Sequence, residues 1–195
     1  KRVKGMTQFS VRVGVGTGDR LVQPRLKGDG GEGLDIESGG QYLREKILGW
    51  EFRVAGSSFF QVNTTQAERM VEMIRDRLEL SGSQILIDAY AGVGVFAVLL
   101  APYAGRVIAI EDSPSAVEDG KRNAEGLDNV EMVLGRSEQV LSEFDSHVDT
   151  VILDPSRKGC HPDVIAAMSR LAPDRIVLVS CDVGSMVRDL AALVD

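Results

Sequence analysis

The sequence predicts a doubly wound α/β fold, a mostly parallel sheet covered by helices on both faces and preceded by a small β-rich segment. Three observations carry that expectation. From residue 85 onward, short runs of Ile, Val and Leu alternate with segments of helical period. Those runs are apolar throughout rather than alternating, as strands buried on both faces are. The first 56 residues show no helical period and read as extended chain.

The elements follow in order. Gln8 to Val13 alternates at period 2, and Arg20 to Gln23 leads into Pro24. Lys27 to Gly40 is dense in glycine without apolar periodicity, which predicts a mobile hairpin loop. No helix start follows it, which argues against a phosphate cradle. Gln41 to Val54 predicts two short strands broken at Gly49. Ala67, Met70, Val71, Ile74 and Leu78 then share one helical face, with Asn63, Thr64 or Thr65 as N-cap and Gly82 as the stop. A strand over Ile85 to Asp88 and a helix over Val95 to Leu100 come next, followed by a strand over Arg106 to Glu111. Ser113-Pro114 opens a helix that runs to about Gly126. Val130 to Leu134 and Val148 to Asp154 are strands around a short helix over Glu138 to Phe144. His161-Pro162 opens another helix, Arg175 to Cys181 is the fifth strand of the sheet, and a last helix starts near Gly184. A sheet of five strands closing on a helix reads as cut short, so a fragment of a longer protein is expected.

Length and composition narrow the class. At 195 residues there is room for one full domain, and 44% hydrophobic with 26% charged residues excludes wholesale disorder. No apolar run approaches the roughly 20 residues of a bilayer-spanning helix. The opening residues Lys1 to Gly5 lack the apolar stretch of a secretory signal, so the expected compartment is the cytoplasm. Two cysteines, Cys160 and Cys181, are too few for a disulfide framework, a four-thiolate zinc site or an iron–sulfur cluster, and no metal is expected. A net charge of −7 weighs against a generic nucleic-acid-coating domain, though not against an RNA enzyme with a local basic track.

The chemistry gathers at strand ends. Gly92 to Ala97 fits G-x-G-x-x-G/A after a strand, and Glu111 closes the next strand. That pattern serves a nicotinamide dinucleotide or S-adenosylmethionine, or simply close packing of helix on strand. Asp88 discriminates between the two ligands. A carboxylate at the strand end repels a pyrophosphate but favours the sulfonium and ammonium groups of S-adenosylmethionine. Glu111 suits either ligand, since its two oxygens can accept both ribose hydroxyls. Ligands of such sheets sit beyond the carboxyl ends of the strands. There Asp154-Pro155-Ser156-Arg157-Lys158-Gly159 and Ser180-Cys181-Asp182 bring a carboxylate, two cations and a thiol to one edge. On spacing alone Cys181 reads as a small core hydrophobe, and Cys160-His161 as part of a helix cap.

With Ser58-Phe59-Phe60-Gln61-Val62-Asn63 ahead of them, the Asp88 to Gly94 loop, Glu111, Asp154-Pro155-Ser156-Arg157 and Val179-Ser180-Cys181-Asp182 resemble the RNA uracil-5-methyltransferase family. Arg188-Asp189-Leu190 follows downstream. That family forms 5-methyluridine in tRNA or ribosomal RNA with S-adenosylmethionine. The resemblance covers residues 57–195, which it implies are a methyltransferase domain of the class I (Rossmann-like) type whose last strands lie outside the chain. Residues 1–56 resemble only the family's connecting β region. Position by position, it implies that Gln61, Tyr90, Glu111 and Asp154 contact the cofactor alongside Asp88, Gly92 and Gly94. It implies that Cys181 is the nucleophile and that Phe59 packs beside the cofactor or the target base. Arg157 and Lys158 could hold flanking phosphates, or form a solvated basic loop.

The chemistry implied explains the thiol. Carbon 5 of uracil is too poor a nucleophile unless a thiolate first adds to carbon 6. The base that later removes the carbon 5 proton is, in the family, a glutamate that would lie beyond Asp195. The chain is therefore expected to bind the cofactor but not to turn over alone. The target base must also leave its stack. Three departures stand out: Ser156 where the family has Pro, Asp182-Val183 where it has Asn-Pro, and Val95 where it has Asn. Asp182 beside the thiol would raise its pKa by like-charge repulsion. Rival readings are a methyltransferase of RNA cytosine or of a small molecule, a nicotinamide dehydrogenase, and a non-catalytic RNA-docking module.

Overall fold

The structure, a computed structural model, describes residues 9–25 and 38–194. Most of the glycine-dense Lys27 to Gly40 stretch therefore lies outside the described residues. Two antiparallel hairpins open the chain. β1 (Ser10–Val13) pairs with β2 (Arg20–Gln23), and β3 (Tyr42–Ile47) with β4 (Trp50–Ala55). The second hairpin turns on Leu48 and Gly49, both with positive φ (48° and 84°), as a two-residue turn matched to strand twist requires. Alternation places Leu43, Glu45 and Ile47 inside. A buried carboxylate needs partners, and Glu45 has four. It accepts the amides of Val15 and Gly16 at 2.7 Å, the amide of Lys46 at 2.8 Å and the Thr64 hydroxyl at 3.1 Å.

Helix α1 (Thr64–Leu78) follows, capped by the Asn63 side chain on the Gln66 amide. It stops at Glu79, which takes the left-handed conformation, and not at Gly82 as the sequence led one to expect. Gly82 instead shapes the next turn, where its amide reaches the Tyr103 carbonyl.

From there the chain alternates. β5 (Ile85–Asp88), α2 (Val95–Leu100), β6 (Arg106–Glu111), α3 (Pro114–Asn123) and β7 (Val130–Leu134) form the first half. α4 (Ser137–Glu143), β8 (Thr150–Leu153), α5 (Pro162–Leu171), β9 (Arg175–Leu178) and α6 (Val183–Val194) form the second. The five strands pair in parallel in the order β7-β6-β5-β8-β9. The order reverses direction at β5, so the crevice for a ligand opens at the carboxyl ends of β5, β6 and β8.

Three elements are shorter than expected: β8 spans Thr150–Leu153 and not Val148 to Asp154, and α3 and β9 end early. α3 ends at Asn123, whose backbone carbonyl accepts the Trp50 indole N–H while its side chain bonds the amide and carbonyl of Arg53 in β4 and the Val93 carbonyl. β9 ends at Leu178, with one further bond from the Val179 amide to Leu153. The Ser180 hydroxyl then folds the chain back onto the amide and carbonyl of Asp182, so Cys181 sits in a turn rather than in the strand.

Period-2 side chains divide the sheet's core. Leu86, Val107, Ala109 and Ile152 pack with α1 and α2, while Ile87, Ile108, Ile110, Val151 and Leu153 pack with α4 and α5. A third cluster joins Leu21, Leu43, Phe52 and Val54 of the hairpins to Ala67, Val98 and Ala116 of α1, α2 and α3.

Candidate active site

Asp88 ends β5 and is fully buried, beneath the following turn rather than on an open rim. Among the described residues neither of its carboxylate oxygens has a hydrogen-bond partner. Burial, reinforced by the nearby charge of Asp154, pushes its pKa up to about 7, although the amides of Ala97 and Tyr90, close by but outside hydrogen-bond geometry, draw it part of the way back. Burial likewise raises Asp154, one residue past β8, to about 6.

The turn above Asp88 is held open by glycine. Gly92 and Gly94 have φ of 55° and 86°, which side-chain-bearing residues adopt only under strain. A Cβ on Gly92 would enter space with no atom within 4 Å. Glu111, at the end of β6, braces the turn: it accepts the Gly92 amide and the Ser113 amide, each at 2.9 Å. Each of its oxygens keeps a second lone pair. Burial raises the Glu111 pKa, and those two amides lower it again.

Tyr90 directs its hydroxyl across the edge to the start of α5, where it accepts the His161 amide at 3.3 Å. Burial pushes that hydroxyl up to about 12. A brace the sequence reading missed is Ser137. This buried residue opens α4 and donates its hydroxyl to the Ala89 carbonyl. Only its place at the start of the helix that follows β7 pointed to it.

β4 brings in the remaining residues. It runs beside α3, its Ala55 amide bound to Asp119 at 2.6 Å, and it delivers Ser57 to within 3.2 Å of the Ser115 hydroxyl. Ser115 contacts Ser113, whose amide is on Glu111, so the 57–61 segment arrives at the same edge. Gln61 is half-buried there, and Phe59 is 72% exposed.

The last pair of β8 and β9 is Leu153 with Leu178, so Asp154 and Cys181 both emerge at the carboxyl edge. Cys181 is exposed and free. Asp182 does not simply face it. Its carboxylate accepts the Ser185 amide at 2.9 Å and caps α6. That bond, other contacts with the start of α6 and the charge of Arg157 hold Asp182 below the usual carboxylate range. Arg157 and Lys158 are exposed on the loop after β8. Cys160 is buried as expected of a structural thiol, and burial raises it to about 12.

Two other features lie away from this edge. His147, Asp149 and Asp174 gather at the opposite ends of β8 and β9, where Asp149 accepts the Ile85 amide at 2.7 Å. A cavity of about 560 Å³ beside β1 and β2 is lined by Phe9, Ser10, Gln23, Pro24, Arg25 and Gly39, which include neither a carboxylate nor a thiol.

The pattern that defines the tRNA (uracil-5-)-methyltransferase family matches residues 41–195. The chain belongs to that family. Among relatives of its sequence is an uncharacterized RNA methyltransferase of Nostoc sp., 41% identical over 80% of this chain and 34% of its own length. Another, of Thermosynechococcus vestitus, is 38% identical over 84% of this chain and 37% of its own. The chain thus spans about a third of the length of the curated relatives it matches. Among solved structures, the Pyrococcus abyssi tRNA (uracil-54, C5)-methyltransferase in complex with S-adenosyl-L-homocysteine superposes with a TM-score of 0.73. It is 26% identical, over 94% of this chain and 52% of that one. A precorrin 8w decarboxylase of Methanobacterium thermoautotrophicum, 19% identical over 74% of this chain and 77% of its own with a TM-score of 0.65, shares the fold alone. Class I methyltransferase architecture is therefore common to the uracil-5-methyltransferase family and to enzymes of other substrates.

Proposed function

We propose that the chain is the cofactor- and thiol-bearing part of an S-adenosylmethionine-dependent RNA methyltransferase. Its target is carbon 5 of a uridine in tRNA or ribosomal RNA, and it works through a covalent cysteine–uracil intermediate. In this reading residues 57–195 carry the methyltransferase domain and residues 1–56 connect it. The observation that carries it is Asp88, a buried carboxylate without a hydrogen-bond partner beneath a glycine turn, at the edge from which a free thiol emerges.

The residues present fit the cofactor. A buried carboxylate without a partner either takes up a proton, as its raised pKa reflects, or gains a cation beside it, which favours a positively charged ligand. The space above Gly92 admits a ligand where a side chain would fill it. Asp88, Gly92, Gly94 and Glu111 would hold the ligand, Glu111 through its spare lone pairs, with Gln61, Tyr90 and Asp154 around them. When bound, S-adenosylmethionine supplies an electrophilic methyl group. The relative from Pyrococcus abyssi, named for uracil and bound to S-adenosyl-L-homocysteine, supports both the ligand and the base.

Cys181 performs the enabling step. Its thiolate forms a bond to carbon 6 of the uracil, and the electron pair of the 5,6 double bond moves toward the carbonyl at carbon 4, which makes carbon 5 nucleophilic. After carbon 5 has gained its methyl group and lost its proton, the carbon–sulfur bond breaks and the thiolate returns. Phe59, exposed beside the edge, offers a face for the flipped base, and Arg157 and Lys158 offer cations to the flanking phosphates. The test is a denaturation-resistant adduct between the full-length protein and RNA carrying 5-fluorouracil, in which fluorine stands in place of the carbon 5 proton, so that no base can abstract it and the thiolate cannot leave. Wild-type protein is expected to form it and Cys181→Ala to lose it. Persistence of the adduct in Cys181→Ala would overturn the assignment.

A further inference from the structure

Helix α6 turns two polar residues, Ser185 and Asp189, inward beside Leu193, which packs on the core. Val183, Val187 and Leu190 are 72%, 59% and 43% exposed, whereas the charged Asp189 is 3% exposed. A charge buried this deeply needs partners, and Asp189 has them. One carboxylate oxygen accepts the Cys160 amide at 2.7 Å, and the other accepts Nε and Nη2 of Arg188 at 3.0 and 2.7 Å. Arg188 Nη2 also donates to the Lys158 carbonyl at 2.7 Å. Between these two anchor points the chain passes through Gly159 with φ of 83°, and a Cβ there would collide with both Arg188 and Asp189.

One turn earlier on the same face, buried Ser185 binds the start of the helix. Its amide donates to the Asp182 side chain and its hydroxyl to the Asp182 carbonyl. A single helix face therefore grips the turn that carries Cys181 and the loop that carries Asp154, Arg157 and Lys158. Charge-assisted bonds of this kind are stronger and more geometrically exacting than neutral ones.

We propose that Asp189, held by Arg188, is a positioning residue that sets the loop after β8 relative to the Cys181 thiol. It acts through the Cys160 amide and touches neither substrate nor cofactor. The assignment rests on the function proposed above. If thiol and loop must close on one base, their spacing governs the chemical step. Of the residues proposed to hold the cofactor, the glycine turn and Glu111 lie on the β5–β6 side, away from the clamp, whereas Asp154 sits on the clamped loop and Tyr90 meets it at the His161 amide.

The experiment uses full-length protein, with total RNA from cells lacking its gene as the methyl acceptor. Asp189→Ala is expected to lower kcat at least tenfold with a smaller rise in the KM for S-adenosylmethionine, since Asp154 shares the loop, and Asp189→Asn, which keeps an oxygen for the Cys160 amide, to recover part of the loss. An independent readout is alkylation by N-ethylmaleimide, followed peptide by peptide. In wild type Cys181 reacts and buried Cys160 is protected; in Asp189→Ala, Cys160 is expected to react at least tenfold faster. An unchanged kcat, an equal loss through the cofactor KM, or continued protection of Cys160 would overturn the clamp. Should Asp189→Ala fail to fold, Asp189→Asn and Arg188→Gln carry the same test, and an unchanged kcat in both would overturn it. A wild-type protein that forms no adduct with 5-fluorouracil RNA would instead sink the reading of the site itself.

Discussion

Asp88 concentrates the physical chemistry of the site. Its carboxyl is raised to about 7 and that of Asp154 to about 6, mainly by burial, against an ordinary value of 3.8. Between the ordinary and the raised values the native state holds more protons than the unfolded chain. Stability from these groups is therefore complete at low pH, below the ordinary value, and is lost as pH rises through about 6 to 7. A cationic ligand has the opposite preference, since it gains from the ionised form. Binding of S-adenosylmethionine should strengthen several-fold from about pH 5.5 to about pH 8 and release protons. Titration calorimetry in two buffers of different ionisation enthalpy measures that release. Asp88→Asn should weaken binding and flatten the pH dependence of the melting temperature. Binding that is indifferent to pH in the wild type would show that Asp88 does not face the ligand's charge.

Among elements, the junction of β4 with α3 decides where the 57–61 segment arrives. The outer edge of β4 is paired with the side chains of a helix instead of another strand. Asp119, 1% exposed, accepts the Ala55 amide and lies 2.8 Å from Arg53 Nε. Asn123 brackets Arg53, and its carbonyl accepts the Trp50 indole N–H. Removing one partner of a buried ion pair strands the other, so Asp119→Ala should cost roughly 3 kcal/mol. It should also loosen the approach of Gln61 and Phe59. Chemical denaturation gives the first quantity, and hydrogen exchange across 55–61 reports the second. A variant as stable as wild type with unchanged exchange would mean that the hairpin is held by its apolar contacts alone. The sequence reading could not foresee this joint, because a strand edge satisfied by a helix 64 to 70 residues later leaves no local pattern.

For the whole molecule, the question is whether hairpins and sheet form one cooperative unit. Phe52 is fully buried in a cluster that includes Ala67, Val98 and Ala116 of three helices. Phe52→Ala should then cost roughly 3–5 kcal/mol and shift a single unfolding transition. Two transitions, only one of which moves, would show that the hairpins unfold separately. Among the described residues no helix is long and apolar enough to cross a membrane. With a net charge of −7, the RNA contact proposed above would have to rest on local cations such as Arg157 and Lys158.

Element type and order were legible from period and capping alone, since both are local. All five sheet strands and the helices between them fall where apolar runs and caps placed them, with ends trimmed near Asn123 and Ser180. The candidate residues were legible as a set as well, because parallel strands deliver their carboxyl ends to one edge. Their environments were not. Nothing in the order of residues says that Asp88 lies beneath the turn with both oxygens unpaired, that Tyr90 reaches His161, or that α6 turns Asp189 inward and its valines outward. Those outcomes depend on groups brought together from distant parts of the chain, and burial and hydrogen bonding are properties of that assembly, not of any segment within it.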